Sequence, residues 1–349
     1  MCSLSVKMSA EGVLLGMCNP LLDISAVVDQ EFMDKYGIVL NNAILAEDKH
    51  KPMYPEMESK FACSYIAGGA GLNTIRVAQW ILGTPMATSY LGCVGDDEYG
   101  RKMEAACKTE GVNAHFMKDA TTATGTCAVC VMDAERSLVA NLSAANNYKK
   151  EHLMQPENYK LLEMAKVVYV TGFFCTVSPE SLFEEGEHCV KNGKTFCMNL
   201  SAPFLIQVPP LREILVKGLA NCSIVFGNES EAAAFAEAHG WAEKDIPAIA
   251  VKIAETLTQP GARVCITQGS EPTVLATKGD PAARVYPVPP VPKAEIVDTN
   301  GAGDAFVGGF LASLVQKKPE DVCVAAGNHA AGIIIRTSGC KLPDGPADF

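Results

Sequence analysis

Short apolar runs alternate with longer segments of helical period along most of the chain. The runs at 13–17, 87–93, 167–171, 195–200, 224–226 and 263–267 are dominated by apolar residues and too short for helices, which predicts strands buried on both faces. Segments 71–81, 100–109, 179–191, 229–238, 305–315 and 321–335 read as helices. Strand and helix in alternation predict an α/β fold, a mostly parallel central sheet flanked by helices on both faces. Two segments depart from the pattern. Residues 23–65 and 121–143 are richer in alternating and turn-like sequence, and 125–143 reads as a hairpin turning at 133–135. Together they are expected to form a small β lid over the C-terminal edge of the sheet, where open α/β sheets bind ligands. The expected division is a large α/β domain of residues 1–21, 66–120 and 144–349, and a lid of 22–65 and 121–143. The proline-rich stretch 287–292 is read as a loop or edge connection.

At 349 residues and 48% hydrophobic content the chain can bury a large core. A net charge of -11 argues against nucleic acid or an anionic membrane as a partner. The 14 cysteines are scattered, several inside apolar runs (Cys93, Cys197, Cys265). No secretory signal and no apolar run approaching ~18 residues is present, so a reduced, cytoplasmic protein is expected. Cys127 and Cys130 form one C-x-x-C, but no second pair or His cluster accompanies it, and both lie in a strand pattern.

Chemistry concentrates in Asp298-Thr299-Asn300-Gly301-Ala302-Gly303-Asp304. Asn300, Gly301 and Gly303 favour a turn, and the apolar helix that follows presents its N-terminal N–H groups to an anion such as a phosphoryl group. Asp304 at the same turn could take a proton from an attacking hydroxyl. It could equally be a plain N-cap. Two other nucleotide motifs fail. Gly193-Lys194-Thr195 resembles the end of a phosphate-binding P-loop, but His188 stands where that loop needs glycine, and the segment follows a helix, so Gly193 is read as a helix C-cap. The dinucleotide fingerprint fails at Thr74 and at Phe306.

The segment 298–304 resembles the C-terminal signature of the ribokinase-like (PfkB) sugar and nucleoside kinases. Gly68-Gly69-Ala70-Gly71-Leu72-Asn73 is similar to their N-terminal glycine signature, and Asn228-Glu229-Ser230-Glu231 to their N-x-x-E motif, in the same order and spacing. Segments 16–23, 45–50, 77–80, 199–204 and 299–310 resemble the adenosine-phosphorylating members, and the likeness runs from about residue 12 to the C-terminus. It implies a ribokinase-like fold, a monomer, and transfer of the γ-phosphoryl group of ATP to the 5'-hydroxyl of adenosine with Mg²⁺. Some relatives also use a monovalent cation such as K⁺, and Asp298, Arg336, Gly339 and Cys340 lie in the matching region.

The resemblance also implies roles. Asp304 is the general base, and the N–H groups of Gly301, Ala302 and Gly303 steady the moving phosphoryl. Arg136 contacts phosphate when the lid closes. Asp23 accepts the ribose diol, a task suited to a carboxylate with two acceptor oxygens. Asn19, Gly68, Gly69 and Asn73 hold the same sugar. Leu45, Cys127, Leu138, Ala140, Phe173 and Phe204 wall the adenine, although each reads equally well as core. Asn228 and Asn300 sit near the phosphates, Asn328 near the base of ATP, and Glu231 serves Mg²⁺ through water. Ala43 stands where mammalian-type relatives carry a glutamine, which removes a polar lid contact. The alternatives are a related kinase acting on a sugar or another nucleoside, and a nucleoside-binding relative without chemistry.

Overall fold

The computed structural model describes residues 11–40, 42–132 and 135–347. Its larger sheet has nine strands. From edge to edge they are Arg284–Tyr286, Glu271–Thr277, Arg263–Gln268, Ile224–Asn228, Thr195–Asn199, Val167–Thr171, Leu14–Met17, Thr88–Gly95 and Asn113–Asp119. Strands from Arg263–Gln268 to Asn113–Asp119 pair in parallel. The other two close one edge antiparallel, which the apolar runs did not predict. A tight turn at Gly269 (φ +60) returns the chain there without a crossover helix.

Side chains alternate between two apolar layers, as the two-residue period of a strand demands. Leu15, Met17, Val168, Val170, Phe196 and Met198 face one layer. It is completed by helices Pro156–Met164, Pro179–Lys191, Pro209–Leu219, Glu229–Ala238 and Ile246–Thr256. Leu14, Val167, Tyr169, Cys197, Phe226 and Cys265 face the other, with helices Ala70–Leu82, Glu98–Thr109, Ala302–Val315 and Glu320–Ile334. Burial on both faces explains why these strands read as unbroken apolar runs and why Cys93, Cys197 and Cys265 sit among them. The cysteines among the described residues are all free.

The smaller sheet has five strands in the order Ala43–Leu45, Glu135–Asn141, Thr126–Met132, Leu21–Val27, Ser64–Gly68. Strands Thr126–Met132 and Glu135–Asn141 pair antiparallel; the predicted turn between them, at 133 and 134, lies outside the described residues, as does the side chain of Ala43. Among the described residues, one face of this sheet has an apolar layer. There Ile24, Ala26, Ala128, Cys130 and Val139 pack on Phe32, Met33 and Tyr36 of helix Gln30–Tyr36 and on Met53 and Met57 of helix Met53–Lys60. Those helices were not predicted; the first is fixed by Asp29, which caps Phe32 N at 2.8 Å, and by Gly37 at φ +64. Cys127 and Cys130 point to opposite faces, which separates the C-x-x-C pair. Lys194 N donates to Cys189 O at 2.9 Å beyond Gly193 (φ +63), the helix end read from sequence.

Candidate active site

Helix Ala302–Val315 begins without a side-chain cap. Its N-cap is Gly301 at φ +81, a conformation that a Cβ would strain. The helix starts earlier than predicted, because Gly303 accepts helical geometry in the first turn as readily as a turn. Asp298 shapes the approach: its Oδ1 accepts from Asn300 N at 2.9 Å and its Oδ2 from Gly339 N at 2.9 Å. Ala302 N donates to Thr299 O at 3.2 Å, so the donors left at the helix start are those of Gly301, Gly303 and Asp304. They lie at the positive end of the helix dipole. A Cβ on Gly303 would meet nothing within 4 Å, which leaves room for a ligand there.

Asp304 is the third residue of the helix, not its cap. Its Oδ2 accepts from Asn73 Nδ2 at 3.0 Å. Burial pushes its carboxyl up to about 6, against the pull of the Asn73 bond. Two further carboxyls nearby are raised. Burial takes Asp23 up to about 7, opposed by the charge of Arg76 and reinforced by Asp304. Burial also takes Glu231 to about 7, opposed by the Asn228 backbone N–H.

Gly303 and Asp304 border a partly open cavity of about 170 Å³. Its polar wall comes from Thr171, Asn199, Asn228 and Thr267, at or next to the C-terminal ends of four parallel strands. That is the end of an open α/β sheet where ligands bind. Thr171 and Thr267 were not singled out in the sequence, and Asn199 only as the start of segment 199–204, although a polar residue closing an apolar strand is a usable signal. Glu231 lines the same cavity. It forms a capping box with Asn228: Asn228 N donates to Glu231 Oε2 at 2.9 Å, Asn228 Nδ2 to Oε1 at 3.1 Å, and Glu231 N to Asn228 Oδ1 at 2.9 Å.

The smaller sheet carries a second set of candidates, which do not line that cavity. Its register places Leu45 beside Ala140, Ala140 beside Cys127, Cys127 beside Asp23, and Asp23 beside Ile66. Neighbours in register share a face, so these residues form one transverse row, opposite the apolar layer of that sheet. Leu138, two residues before Ala140, lies on the same face. Ile66 belongs to the row but was not singled out. Gly68, two residues beyond Ile66, lies on the same face, where a Cβ would come within 2.5 Å of Asp23 Oδ2. Gly69 (φ +91) packs its Cα against the carbonyl oxygen of Asn19, so a side chain would force the two apart. Asn19 is buried, with Nδ2 donating to Ala145 O at 3.4 Å. Leu45 is 57% exposed and Phe204 40%, so both are open to solvent. Phe173 and Phe204 face each other with ring centroids 6.4 Å apart.

Arg136 links the smaller sheet to the anion turn. From strand Glu135–Asn141 its guanidinium pairs with Asp298 at 3.0 Å and donates to Ser338 Oγ, and both charges are nearly sealed from water. The phosphate-contact candidate is therefore held at the edge of the anion turn. Asn300 is exposed there. Asn328 is apart from this constellation: it is buried, its Oδ1 accepts from Thr273 Oγ1 at 3.0 Å, and it does not line the cavity beside Asp304. No helix among the described residues is long and apolar enough to cross a membrane.

Residues 30–346 match the family described as pfkB family carbohydrate kinase. Adenosine kinase 2 of Arabidopsis thaliana is 54% identical, over 97% of this chain and 98% of that protein. Adenosine kinase of Schizosaccharomyces pombe is 41% identical, over 95% and 96%. Among solved structures, Anopheles gambiae adenosine kinase in complex with P1,P4-di(adenosine-5) tetraphosphate superposes with a TM-score of 0.90 at 46% identity, covering 97% of this chain and 99% of that one. Adenosine kinase from Schistosoma mansoni in complex with 2-fluoroadenosine gives 0.88 at 37%, covering 96% and 98%. With a family match across nearly its whole length and relatives this similar end to end, the chain belongs to the pfkB carbohydrate kinase family, with the ribokinase-like fold.

Proposed function

We propose that this chain phosphorylates adenosine at its 5'-hydroxyl at the expense of ATP, giving AMP and ADP, with Asp304 as general base. The single observation that carries the reading is the uncapped start of helix Ala302–Val315. It offers free N–H donors beside an ionisable carboxylate on one cavity wall. The relatives named above, adenosine kinases over their full length, supply the substrate class.

The chemistry follows from the placement. Asp304 takes the proton of the 5'-hydroxyl as its oxygen attacks the γ-phosphorus, and the bond to the β-bridging oxygen breaks to release ADP. The Gly301, Gly303 and Asp304 N–H groups stabilise the charge spread over the transferred phosphoryl oxygens. Asp23 accepts the ribose 2'- and 3'-hydroxyls, and the backbone at Gly68 and Gly69 allows the sugar to approach. Asn19 and Asn73 support the same sugar. Leu45, Leu138, Ala140, Cys127, Phe173 and Phe204 offer the flat apolar surfaces that adenine requires. Residues 22–65 and 121–143 act as a lid over the large domain, and its closure would exclude water as a competing acceptor. Arg136 then serves the phosphates from the anion turn, exchanging Asp298 for a phosphoryl oxygen.

Mg²⁺ fits the donor set at the cavity. It keeps several waters and takes few carboxylates, and Glu231 with Asn228 are the residues that would hold it through water. Each Glu231 oxygen retains a lone pair beyond the capping box. When bound, the ion neutralises charge on the phosphoryl oxygens. K⁺ fits less well. The Asp298 carboxylate is already met by Arg136 and two backbone N–H groups, so no step is assigned to a monovalent cation.

An ADP-release assay with adenosine, inosine, guanosine and ribose, each with and without Mg²⁺, tests the reading. Adenosine-dependent turnover that needs Mg²⁺ is expected. Preferred turnover of ribose would reassign the pocket to a sugar, and adenosine binding without any turnover would remove the protein from the enzymes.

A further inference from the structure

Asn73 is the only side chain that hydrogen-bonds the Asp304 carboxylate among the described residues, and its amide must be turned the right way round to do so. With Nδ2 toward Asp304, the Asn73 oxygen faces Arg76, one helical turn on, whose Nη1 lies 3.4 Å away. The reverse orientation would set the amide oxygen against a carboxylate and the NH₂ group against a guanidinium. Charges of opposite sign at the two ends therefore select one rotamer of the amide.

Arg76 is itself held more firmly than its neighbours require. It is almost wholly buried, and Glu110 takes its Nε and Nη2 at 2.6 Å each, the bidentate geometry in which a guanidinium is most rigid. Its Nη1 also donates to Ala67 O at 2.5 Å, at the end of strand Ser64–Gly68, and to Cys340 O at 3.2 Å, one residue beyond the glycine whose N–H holds Asp298. One guanidinium thus joins the smaller sheet, helix Ala70–Leu82 and the C-terminal segment that flanks the anion turn. Burying the Arg76 charge beside a Glu110 that is still 25% exposed is a poor source of stability on its own, because desolvation of the guanidinium offsets much of the attraction. Its cost is better explained by what it fixes in place.

We propose that Arg76, clamped by Glu110, is a positioning residue for phosphoryl transfer: it fixes the Asn73 amide so that the amide nitrogen aims the Asp304 carboxylate at the substrate hydroxyl. The second Asn73 amide hydrogen stays available to the sugar. The inference rests on Asp304 being the base. Other groups share the field of Asp304, namely Asp23, Glu231, Tyr169 and Cys340, and Arg76 also lies close enough to Asp23 to favour its ionised form. The relevant readout is therefore kcat at saturating adenosine, which reports the bound complex and not the empty diol site.

The test measures kcat and KM against pH for Arg76→Lys, Glu110→Gln, Asn73→Ala and the double variant Arg76→Lys/Asn73→Ala. Arg76→Lys keeps the charge and loses the fork, and kcat is expected to fall about 10-fold or more, as for a misaimed catalytic group. The acid limb of kcat should move to higher pH, because a loosened hydrogen bond no longer favours the ionised carboxylate. Glu110→Gln should shift the limb the same way by less. In the Asn73→Ala background Arg76→Lys should add no further shift, since its effect passes through that amide. Should Arg76→Lys fail to fold, as melting would show, Glu110→Gln still decides the matter because the guanidinium remains. An unmoved limb in a folded Glu110→Gln, or additive shifts in the double variant, would overturn the positioning role. Asp304→Asn run alongside separates the two failures: near-normal turnover there would sink the base assignment, whereas lost turnover with unmoved limbs elsewhere would sink only the role of Arg76.

Discussion

The two sheets are built from similar residues and differ in how many faces they bury. The nine-stranded sheet is covered on both faces, and its chemistry is confined to strand ends: Thr171, Asn199 and Asn228 close three of its central strands. The five-stranded sheet packs one face on Phe32, Met53 and Met57 and leaves the other to the row of Leu45, Ala140, Cys127 and Asp23. A sheet buried twice can offer a ligand only the backbone and side chains at its rim. A sheet buried once can offer a surface. We assign phosphoryl transfer to the rim of the first and nucleoside recognition to the open face of the second.

The contrast predicts that the two acidic residues fail in different ways when altered. Asp304→Asn, at the rim, should lower kcat by a factor on the order of 10²–10⁴ while adenosine binding measured by calorimetry stays nearly unchanged. Asp23→Ala, on the open face, removes hydrogen bonds to a charged acceptor and should raise the KM for adenosine by roughly 10- to 100-fold, with a smaller change in kcat. Equal losses in kcat and KM for both variants would erase the distinction between rim and face.

A smaller effect concerns pH on the open face. In the proposed reading the ionised form of Asp23 accepts both ribose hydroxyls; burial raises its carboxyl to about 7, so KM for adenosine should improve as pH rises through that value. A KM that does not change with pH in this range would contradict Asp23 as the diol acceptor.

The smallest effect lies in the covered layer. Glu185 is sealed in it with neither carboxylate oxygen hydrogen-bonded, and burial pushes its carboxyl well above the usual carboxylate range. A raised folded value means that the native state holds the proton while the unfolded chain has lost it. The stability this contributes is complete below the unfolded value and declines as pH rises above it. Glu185→Gln should flatten that decline, giving a melting temperature above the parent at alkaline pH and close to it in acid. An unchanged pH slope would show that Glu185 reaches a partner or solvent.

The same contrast explains what could be read from sequence. Strands buried twice, such as Val167–Thr171 and Ile224–Asn228, announce themselves as apolar runs, and the Gly301 turn announces itself by composition. The antiparallel strand Glu271–Thr277 begins with exposed residues and follows a tight turn, so its local signal was weaker. Helix Met53–Lys60 is polar on most of its surface and stands only because Met53, Tyr54 and Met57 meet the smaller sheet. At the site, Asp304, Asp23 and Asn73 lie in short motifs. Arg76 and Glu110 do not: they are 34 residues apart, and Arg136 reaches Asp298 from the other sheet. Pairs made by the fold leave no spacing to detect along the chain.

The most direct test of the account is the pH dependence of kcat in the parent and in Asp304→Asn. With the Asp304 carboxyl raised to about 6, the parent should lose turnover as pH falls through that value, because only the ionised form can take the proton. The residual turnover of Asp304→Asn should show no such limb. A limb near the same pH that survives in the variant would assign the titrating base to another group and contradict the central claim.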